Sequence, residues 1–358
     1  MSDSLLNTAQ ALSLHLAPSL VHWQRAQGRH HLPWQNTQDP YRVWLSEIML
    51  QQTQVSTVLG YYDRFLAAYP QVQDLAAAPL DDVLALWAGL GYYSRARNLH
   101  RCSQAVVAEH GGHFPDSAAV LASLPGIGPS TAAAIASFCY GERVSIMDGN
   151  VKRVLTRVLA WPADMAVAGN EKMLVQAANS LLPASSQDMP AYTQGLMDLG
   201  ATLCQRSQPD CPRCPWLPWC AAHREGKPEA YPVKTRKLKR TTRESWCLWV
   251  QHGQQVWLVQ RPDTGIWAGL WTMPMFESEA ELIHAVQGLC KAAGRTLHLQ
   301  EQPAIKHALT HLDWHMHLRR IDLDEAVQAK SLPPGRWQAM DALHQVGLPT
   351  PFKRWLAV

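Results

Sequence analysis

The chain is short of charge: Asp, Glu, Lys and Arg make up 17% of it, against about 25% in an ordinary soluble domain. With 47% hydrophobic residues, that shortage excludes a disordered polymer held open by charge. Long apolar runs are missing too. None approaches the ~18 residues that a membrane helix needs, so a membrane-spanning protein is not expected. The first nineteen residues hold no Lys or Arg and do not read as a secretory signal. A reducing cytoplasm is the expected setting, where eight cysteines read as thiols or metal ligands and not as disulfides. No solenoid repeat is visible.

With 358 residues there is room for roughly two domains. From Pro40 to about Leu199 the pattern is helical. Asp39-Pro40 is a start signal, a capping residue followed by Pro at the first helical position. The helix is expected to run on through Val43, Trp44, Ile48, Val55 and Val58. Further helices are expected over Leu80 to Leu90, Ser117 to Leu124, Ser130 to Tyr140 and Gly149 to Leu159. After Ser245 the pattern changes. Trp246 to Val250 and Val256 to Val259 read as strands joined at His252-Gly253. Leu297 to Leu299 and His315 to Ile321 read as more strands, and Glu279 to Ala292 as a helix. The expected architecture is an all-α part over 1–226, a linker over 227–243 and an α+β part over 244–358.

The net charge of +3 is uneven. Lys227 to Arg243 holds seven basic residues and the single acid Glu229, a local net of +6, so the rest carries −3. Such a run is either a solvated linker or a track for phosphate.

Four cysteines crowd into 17 residues as C-x6-C-x2-C-x5-C: Cys204, Cys211, Cys214 and Cys220. Thiolates this dense need a positive centre, either tetrahedral zinc or an iron–sulfur cubane, and spacing alone does not separate them. Cys102, Cys139, Cys247 and Cys290 stand alone and read as buried apolar residues. His307, His311, His315 and His317 alternate along strand-like chain without flanking acid or thiol ligands, so no metal site is expected there.

Leu124-Pro125-Gly126-Ile127-Gly128-Pro129-Ser130 lies between two helical segments. The glycines allow a tight turn, and the following helix points free N–H groups into it. That is either an ordinary corner or an anion site that fits a DNA phosphate. Asp148 in Asp148-Gly149-Asn150-Val151-Lys152-Arg153 reads as a helix cap, or as a carboxylate fixed beside a cationic reaction centre. Glu47 sits at the edge of an apolar stripe. It is either a surface residue or a desolvated carboxyl suited to general acid work near neutral pH.

Taken together these stretches resemble one family. Leu32-Pro33-Trp34, Trp44 to Val55, Gly89 to Leu99, the Pro125–Ser130 hairpin, Asp148 to Arg153, and Met197 to Ala201 followed by the four cysteines are similar to the MutY-type adenine DNA glycosylases of the helix–hairpin–helix superfamily, to which endonuclease III belongs. The resemblance covers nearly the whole chain. It implies a mainly α helix–hairpin–helix glycosylase fold (hairpin around 118–140) with a 4Fe–4S cluster module at 204–220, plus an α+β Nudix-like C-terminal domain. It implies removal of adenine mispaired with 8-oxoguanine or guanine in double-stranded DNA. Glu47 would protonate the leaving base, Asp148 would stabilise the sugar cation, and Asn150 would support Asp148, a division of labour that N-glycosidic cleavage needs. The base must leave the stack to reach the acid. Gln52 and Tyr92 would wedge the duplex. Gly126, Gly128, Ser130 and Lys152 would lie against DNA.

The resemblance also sorts subfamilies. Lyase-type members carry Lys just after the hairpin, where an amine attacks the sugar carbon. Ser130 stands there and cannot form a Schiff base, so a monofunctional hydrolase is expected, with Lys152 the nearest amine. An endonuclease III-like lyase on oxidised pyrimidines, or a non-catalytic iron–sulfur DNA-binding protein, is the alternative. Trp257 to Phe276 resembles the Nudix-like domain that these enzymes append. Glu277, Glu279 and Glu281 follow it without the Arg-Glu-x-x-Glu-Glu pattern of Nudix hydrolases, so lesion reading and not diphosphate hydrolysis is implied. Relatives read 8-oxoguanine with a Phe-Ser-His core. Here Thr310 and His311 keep the hydroxyl and the ring, while Leu309 stands in the aromatic position. The family implies a cytoplasmic, nucleoid-associated monomer in a bacterium.

Overall fold

The computed structural model describes residues 2–235, 239–324 and 332–356. Arg236 and Lys237 of the basic run lie outside the described residues. The chain divides into two compact units. One is Met1–Ala76 with Arg101–Arg236, the other Ala77–His100 with Lys237–Val358.

The helices in chain order begin with α1 (Ser2–Gln27), α2 (Pro40–Leu50), α3 (Val55–Ala68), α4 (Val72–Ala77), α5 (Leu80–Leu86) and α6 (Ser94–His110). They continue with α7 (Ala118–Leu121), α8 (Pro129–Tyr140), α9 (Gly149–Val158), α10 (Ala168–Ser180), α11 (Met189–Thr202) and α12 (Ala221–Arg224). The expected long helix from Pro40 to Val58 is in fact two. α2 stops at Leu50, where Gln52 turns left-handed at φ 56, and α3 restarts at Val55. The apolar spacing continues across the break because both helices bury a face. The other helices match expectation within a few residues, except that Leu80 to Leu90 ends at Leu86 and Ser117 to Leu124 shrinks to one turn.

α1 was not foreseen. Its Leu5, Ala9, Leu16, Ala17, Leu20 and Val21 are buried among residues of α8 to α11, the stripe that an amphipathic helix presents to a core. Gly195 of α11 allows that approach, since a Cβ there would meet Leu20 Cγ at 2.9 Å.

In the second unit a seven-stranded sheet runs β3-β2-β1-β6-β5, with β4 on β1 and β7 on β2. Its strands are β1 (Thr241–His252), β2 (Gln255–Gln260), β3 (Trp271–Thr272), β4 (Met275–Phe276), β5 (Gln300–Ala308), β6 (Leu312–Leu323) and β7 (Arg336–Ala339). β1 and β6 pair in parallel over their whole length, from Thr241↔Leu312 to His252↔Leu323. α13 (Glu279–Ala293) packs Leu282, Val286 and Leu289 on Leu248, Val250 and Ile321, and α14 (Thr350–Leu356) closes the chain. The His252-Gly253 hairpin forms as expected. Leu297 to Leu299 is not a strand; pairing starts at Gln300, opposite Arg320.

The glutamates after Pro274 are committed to structure. Ser278 Oγ accepts from the Glu281 N–H at 3.2 Å while Glu281 accepts from the Glu277 N–H at 3.1 Å, a variant of the capping box. Glu277 pairs with Arg243, and Glu279 with Arg319.

Candidate active site and cysteine centre

α2 positions Glu47. Asp39 Oδ1 accepts from the Tyr41 N–H at 2.9 Å and Pro40 opens the first turn, which fixes where the helix begins. Trp44, Leu45 and Met49 are fully buried, and Trp44 lies against Phe114 with ring centroids 5.1 Å apart. That packing turns Glu47 into a cavity of about 380 Å³, shared with Arg29, Gln35, Phe138, Gln194 and Met197. Part of the residue's surface opens onto the cavity, yet enclosure governs its acidity. Burial first, and the Asp148 charge second, push the carboxyl up to about 8.

Asp148 caps α9, its Oδ1 accepting from the Val151 N–H at 2.7 Å. It stands within electrostatic reach of Glu47. Ser130 lies beside it in the fold, its Oγ accepting from the Met147 N–H at 3.1 Å. Asn150 Oδ1 accepts from Arg153, whose guanidinium also donates to the carbonyls of Gly200 and Cys204, each bond 2.8 Å. Asn150 packs so closely on α11 that a Cβ at Gly200 would sit 2.7 Å from the Asn150 Cβ. Lys152 is paired with Glu171 at 2.7 Å.

The hairpin between α7 and α8 turns on Gly126 at φ +76, a conformation that costs L-residues with a Cβ about 1–2 kcal/mol. Leu124 and Ile127 anchor it, both nearly buried. Gly128 caps α8, and a Cβ there would meet nothing within 4 Å. The turn is therefore open in front of the first N–H groups of α8, which lack helix carbonyls.

Gln52 and Tyr92, in different units, share a feature that composition hides. Both hold left-handed backbone, at φ 56 and 48, and both are exposed. Strain of this kind in non-glycine residues concentrates at functional positions. Within the second unit, Tyr92 Oη and Thr310 Oγ1 are hydrogen-bonded at 2.8 Å. Arg240 steadies the same hairpin, donating to the Thr310 carbonyl at 3.0 Å and pairing with Asp313 at 2.8 Å. His311 is exposed, and its carbonyl accepts from the Thr241 N–H.

Cys204, Cys211, Cys214 and Cys220 together line an apolar cavity of about 30 Å³ with Arg157 and Trp216. Among the described residues, no three His, Cys, Asp or Glu side chains are grouped closely enough to hold one metal ion. The thiols instead stand around the cavity wall. Burial, reinforced by neighbouring thiols, raises Cys211, Cys220 and Cys214, the last to about 12. Left alone they stay protonated. Arg157 is 2% exposed. It donates to the carbonyls of Gln205, Arg206 and Tyr231 and to Cys204 Sγ, at 2.6, 3.0, 3.2 and 3.4 Å. It has no carboxylate partner among the described residues. A buried cation facing four thiols suits a centre that turns them into thiolates. Of the isolated cysteines, Cys102 and Cys247 are fully buried as expected, but Cys139 and Cys290 are only half-buried.

Residues 45–182 match the HhH-GPD superfamily base excision DNA repair protein family, and residues 245–358 match the NUDIX domain. An adenine DNA glycosylase of Buchnera aphidicola subsp. Baizongia pistaciae is 34% identical over 93% of both chains. The Homo sapiens adenine DNA glycosylase is 34% identical over 94% of this chain and 72% of its own. This chain belongs to the adenine DNA glycosylase family. A solved thermostable thymine-DNA glycosylase, 25% identical, covers 61% of this chain and 98% of its own with a TM-score of 0.53. A trapped endonuclease III–DNA covalent intermediate aligns at 0.50 and 19% identity over 60% of this chain, a likeness of fold.

Sequence reasoning missed Arg29, Gln35, Gln194, Arg153 and Arg157 as parts of these two sites. Arg157 carried a signal: it is a charge on a helix face otherwise apolar, and it is buried. Arg29, Gln35 and Gln194 carried none, because their helix and loop meet Glu47 only in three dimensions.

Proposed function

We propose that this protein is a monofunctional base-excision-repair glycosylase that hydrolyses the N-glycosidic bond of adenine opposite 8-oxoguanine or guanine in duplex DNA. The observation that carries the reading is Glu47. It is a carboxyl group kept protonated near neutral pH by its enclosure, in a cavity large enough for a flipped-out base, with a second carboxylate in reach.

Adenine leaves poorly until a ring nitrogen is protonated. Glu47 gives that proton to the base as the glycosidic bond breaks, and the electron pair of the bond goes with the base. The sugar left behind is an oxocarbenium-like cation. Asp148, fixed by the α9 cap and unable to swing away, supplies the compensating negative charge. Water then adds to the sugar carbon, with Glu47, now ionised, placed to take its proton. Asn150, held by Arg153, keeps the first turn of α9 in register with α11.

Among the described residues, no free amine is shown beside Asp148 to replace water. Ser130 offers a hydroxyl, and the Glu171 carboxylate holds Lys152 in an ion pair at 2.7 Å. The open turn at Gly126 and Gly128 offers backbone N–H groups to a DNA phosphate. Gln52 and Tyr92 are exposed on left-handed backbone, and Thr310 and His311 are exposed in the second unit, as side chains that meet DNA would be. The four cysteines would hold a 4Fe–4S cluster. Thiols spread around a cavity suit the wide span of a cubane better than the tight tetrad of a single zinc ion. When bound, such a cluster supplies a cross-link for the loop and a one-electron centre.

The test is a duplex with one adenine opposite 8-oxoguanine. Strand cleavage is expected only after alkali treatment, and Glu47→Gln is expected to bind the duplex without cutting. Excision at undiminished rate by Glu47→Gln would overturn the assignment.

A further inference from the structure

α7 and α8 are the two arms of the hairpin that presents Gly126 and Gly128. α7 is a single turn, Ala118–Leu121, and a helix that short does not hold its shape unaided. Ser117 stands at its N-cap but makes no side-chain capping bond. The cap comes from elsewhere in the chain. Glu142 Oε2 accepts from the Ala118 N–H at 2.7 Å, so a residue just past the end of α8 closes the start of α7. A second tie lies close by in the chain. Tyr140, the last residue of α8, donates from its hydroxyl to the Phe114 carbonyl at 3.0 Å.

The end of α8 aims Glu142. Gly141 leaves the helix in left-handed backbone at φ +68, and its N–H and that of Glu142 bond back to the carbonyls of Ser137 and Ala136 at 3.2 and 3.1 Å. A Cβ at Gly141 would lie 3.1 Å from the Ser186 carbonyl oxygen, so the path of the chain is confined there. The twelve residues of α8 set its two ends about 18 Å apart. The glycine turn is at one end and Glu142 at the other. Glu142 therefore acts on the turn through the two helices and not by touching what the turn holds.

We propose that Glu142 is a positioning residue for DNA binding: its carboxylate clasps α7 to the end of α8 and so sets how the glycine turn presents its N–H groups to a phosphate. The inference rests on the phosphate reading of the turn given above and adds what holds the turn in shape. The clasp has a consequence that charge alone does not. A carboxylate repels DNA at any distance that salt leaves unscreened, so a protein that loses one should bind DNA more tightly. A protein that loses the clasp should bind more weakly.

The experiment measures the affinity for an undamaged duplex by titration at fixed salt, and single-turnover excision of adenine at saturating protein. Glu142→Ala removes the clasp and the charge together, and its affinity should fall about three- to tenfold, the net worth of one hydrogen bond. Glu142→Gln loses the charge but keeps an oxygen that accepts, so it should bind at least as tightly as wild type. Tyr140→Phe changes no charge at neutral pH and should weaken binding in the same direction as Glu142→Ala. The saturated rate should hold in all three, whereas general damage to the fold would lower it along with affinity. Glu142→Ala binding as tightly as wild type, or more tightly, overturns the clasp, as does Glu142→Gln binding as weakly as Glu142→Ala. Gly126→Ala, measured alongside, tells the two readings apart. If it weakens binding and Glu142→Ala does not, the clasp alone fails; if neither does, the phosphate reading fails with it. Should Glu142→Ala not fold, Tyr140→Phe decides: weakened affinity upholds the clasp and unchanged affinity overturns it.

Discussion

The negative charge of Asp148 makes the proton on Glu47 harder to remove, and it does so on a carboxyl group that burial has already shifted up to about 8. The two groups come from α2 and α9, about a hundred residues apart in the chain. Burial and that charge together keep the Glu47 carboxyl protonated where an ordinary glutamate is ionised.

The pH dependence follows from that coupling. If Glu47 works as the protonated acid, single-turnover excision should hold across neutral pH and fall as pH rises through about 8. A rate profile that falls instead near the usual carboxylate range would remove Glu47 from the acid role.

Stability should show the same group with the sign worked through. The folded pKa of Glu47 is raised above its ordinary value of 4.5. The stability it contributes is therefore full below 4.5 and lost as pH rises to about 8. Glu47→Gln cannot ionise and escapes that loss. Its thermal midpoint relative to wild type should climb over this window, at no more than about 1.4 kcal/mol per pH unit. A difference independent of pH would mean that the carboxyl is not enclosed.

Replacing the acid should cost activity and spare binding. Glu47→Gln keeps the shape of the side chain but has no acidic proton to give, so excision should drop by about 10²–10⁴-fold. Duplex affinity, measured by titration at fixed salt, should stay within a few-fold of wild type.

Gly126→Ala places a Cβ on left-handed backbone and should lower stability by about 1–2 kcal/mol. If the turn holds a phosphate, affinity for undamaged and mispaired duplexes should weaken together, since a phosphate contact carries no sequence information. A loss confined to the mispair would assign the turn to lesion reading.

Thr310→Val and Tyr92→Phe each delete one side of the 2.8 Å hydroxyl pair. If the pair reads the mispair as a unit, the double variant should lose no more preference for 8-oxoguanine over guanine than the worse single variant. Full additivity in such a cycle would mean that the two hydroxyls act separately.

Much of this protein could be read before any fold was seen. The Asp39-Pro40 cap, the glycine turn at 126–128, the Asp148 cap and the His252-Gly253 hairpin are local devices, decided by residues within a few positions of one another. The break at Gln52 was hidden because the apolar spacing of α2 carries over into α3. Leu297 to Leu299 failed as a strand because whether such a run pairs depends on its neighbour, and β6 takes its partner only from Gln300 onward.

The sequence by itself determined the family, the helical and α+β character of the two parts, and the chemical types at the centre: two carboxylates, four thiols, and a serine just after the hairpin. Tertiary structure alone decided what those groups become. Acidity depends on enclosure and on charges that arrive from other helices, so the Glu47 carboxyl rose to about 8 only when Asp148 and the cavity wall closed around it.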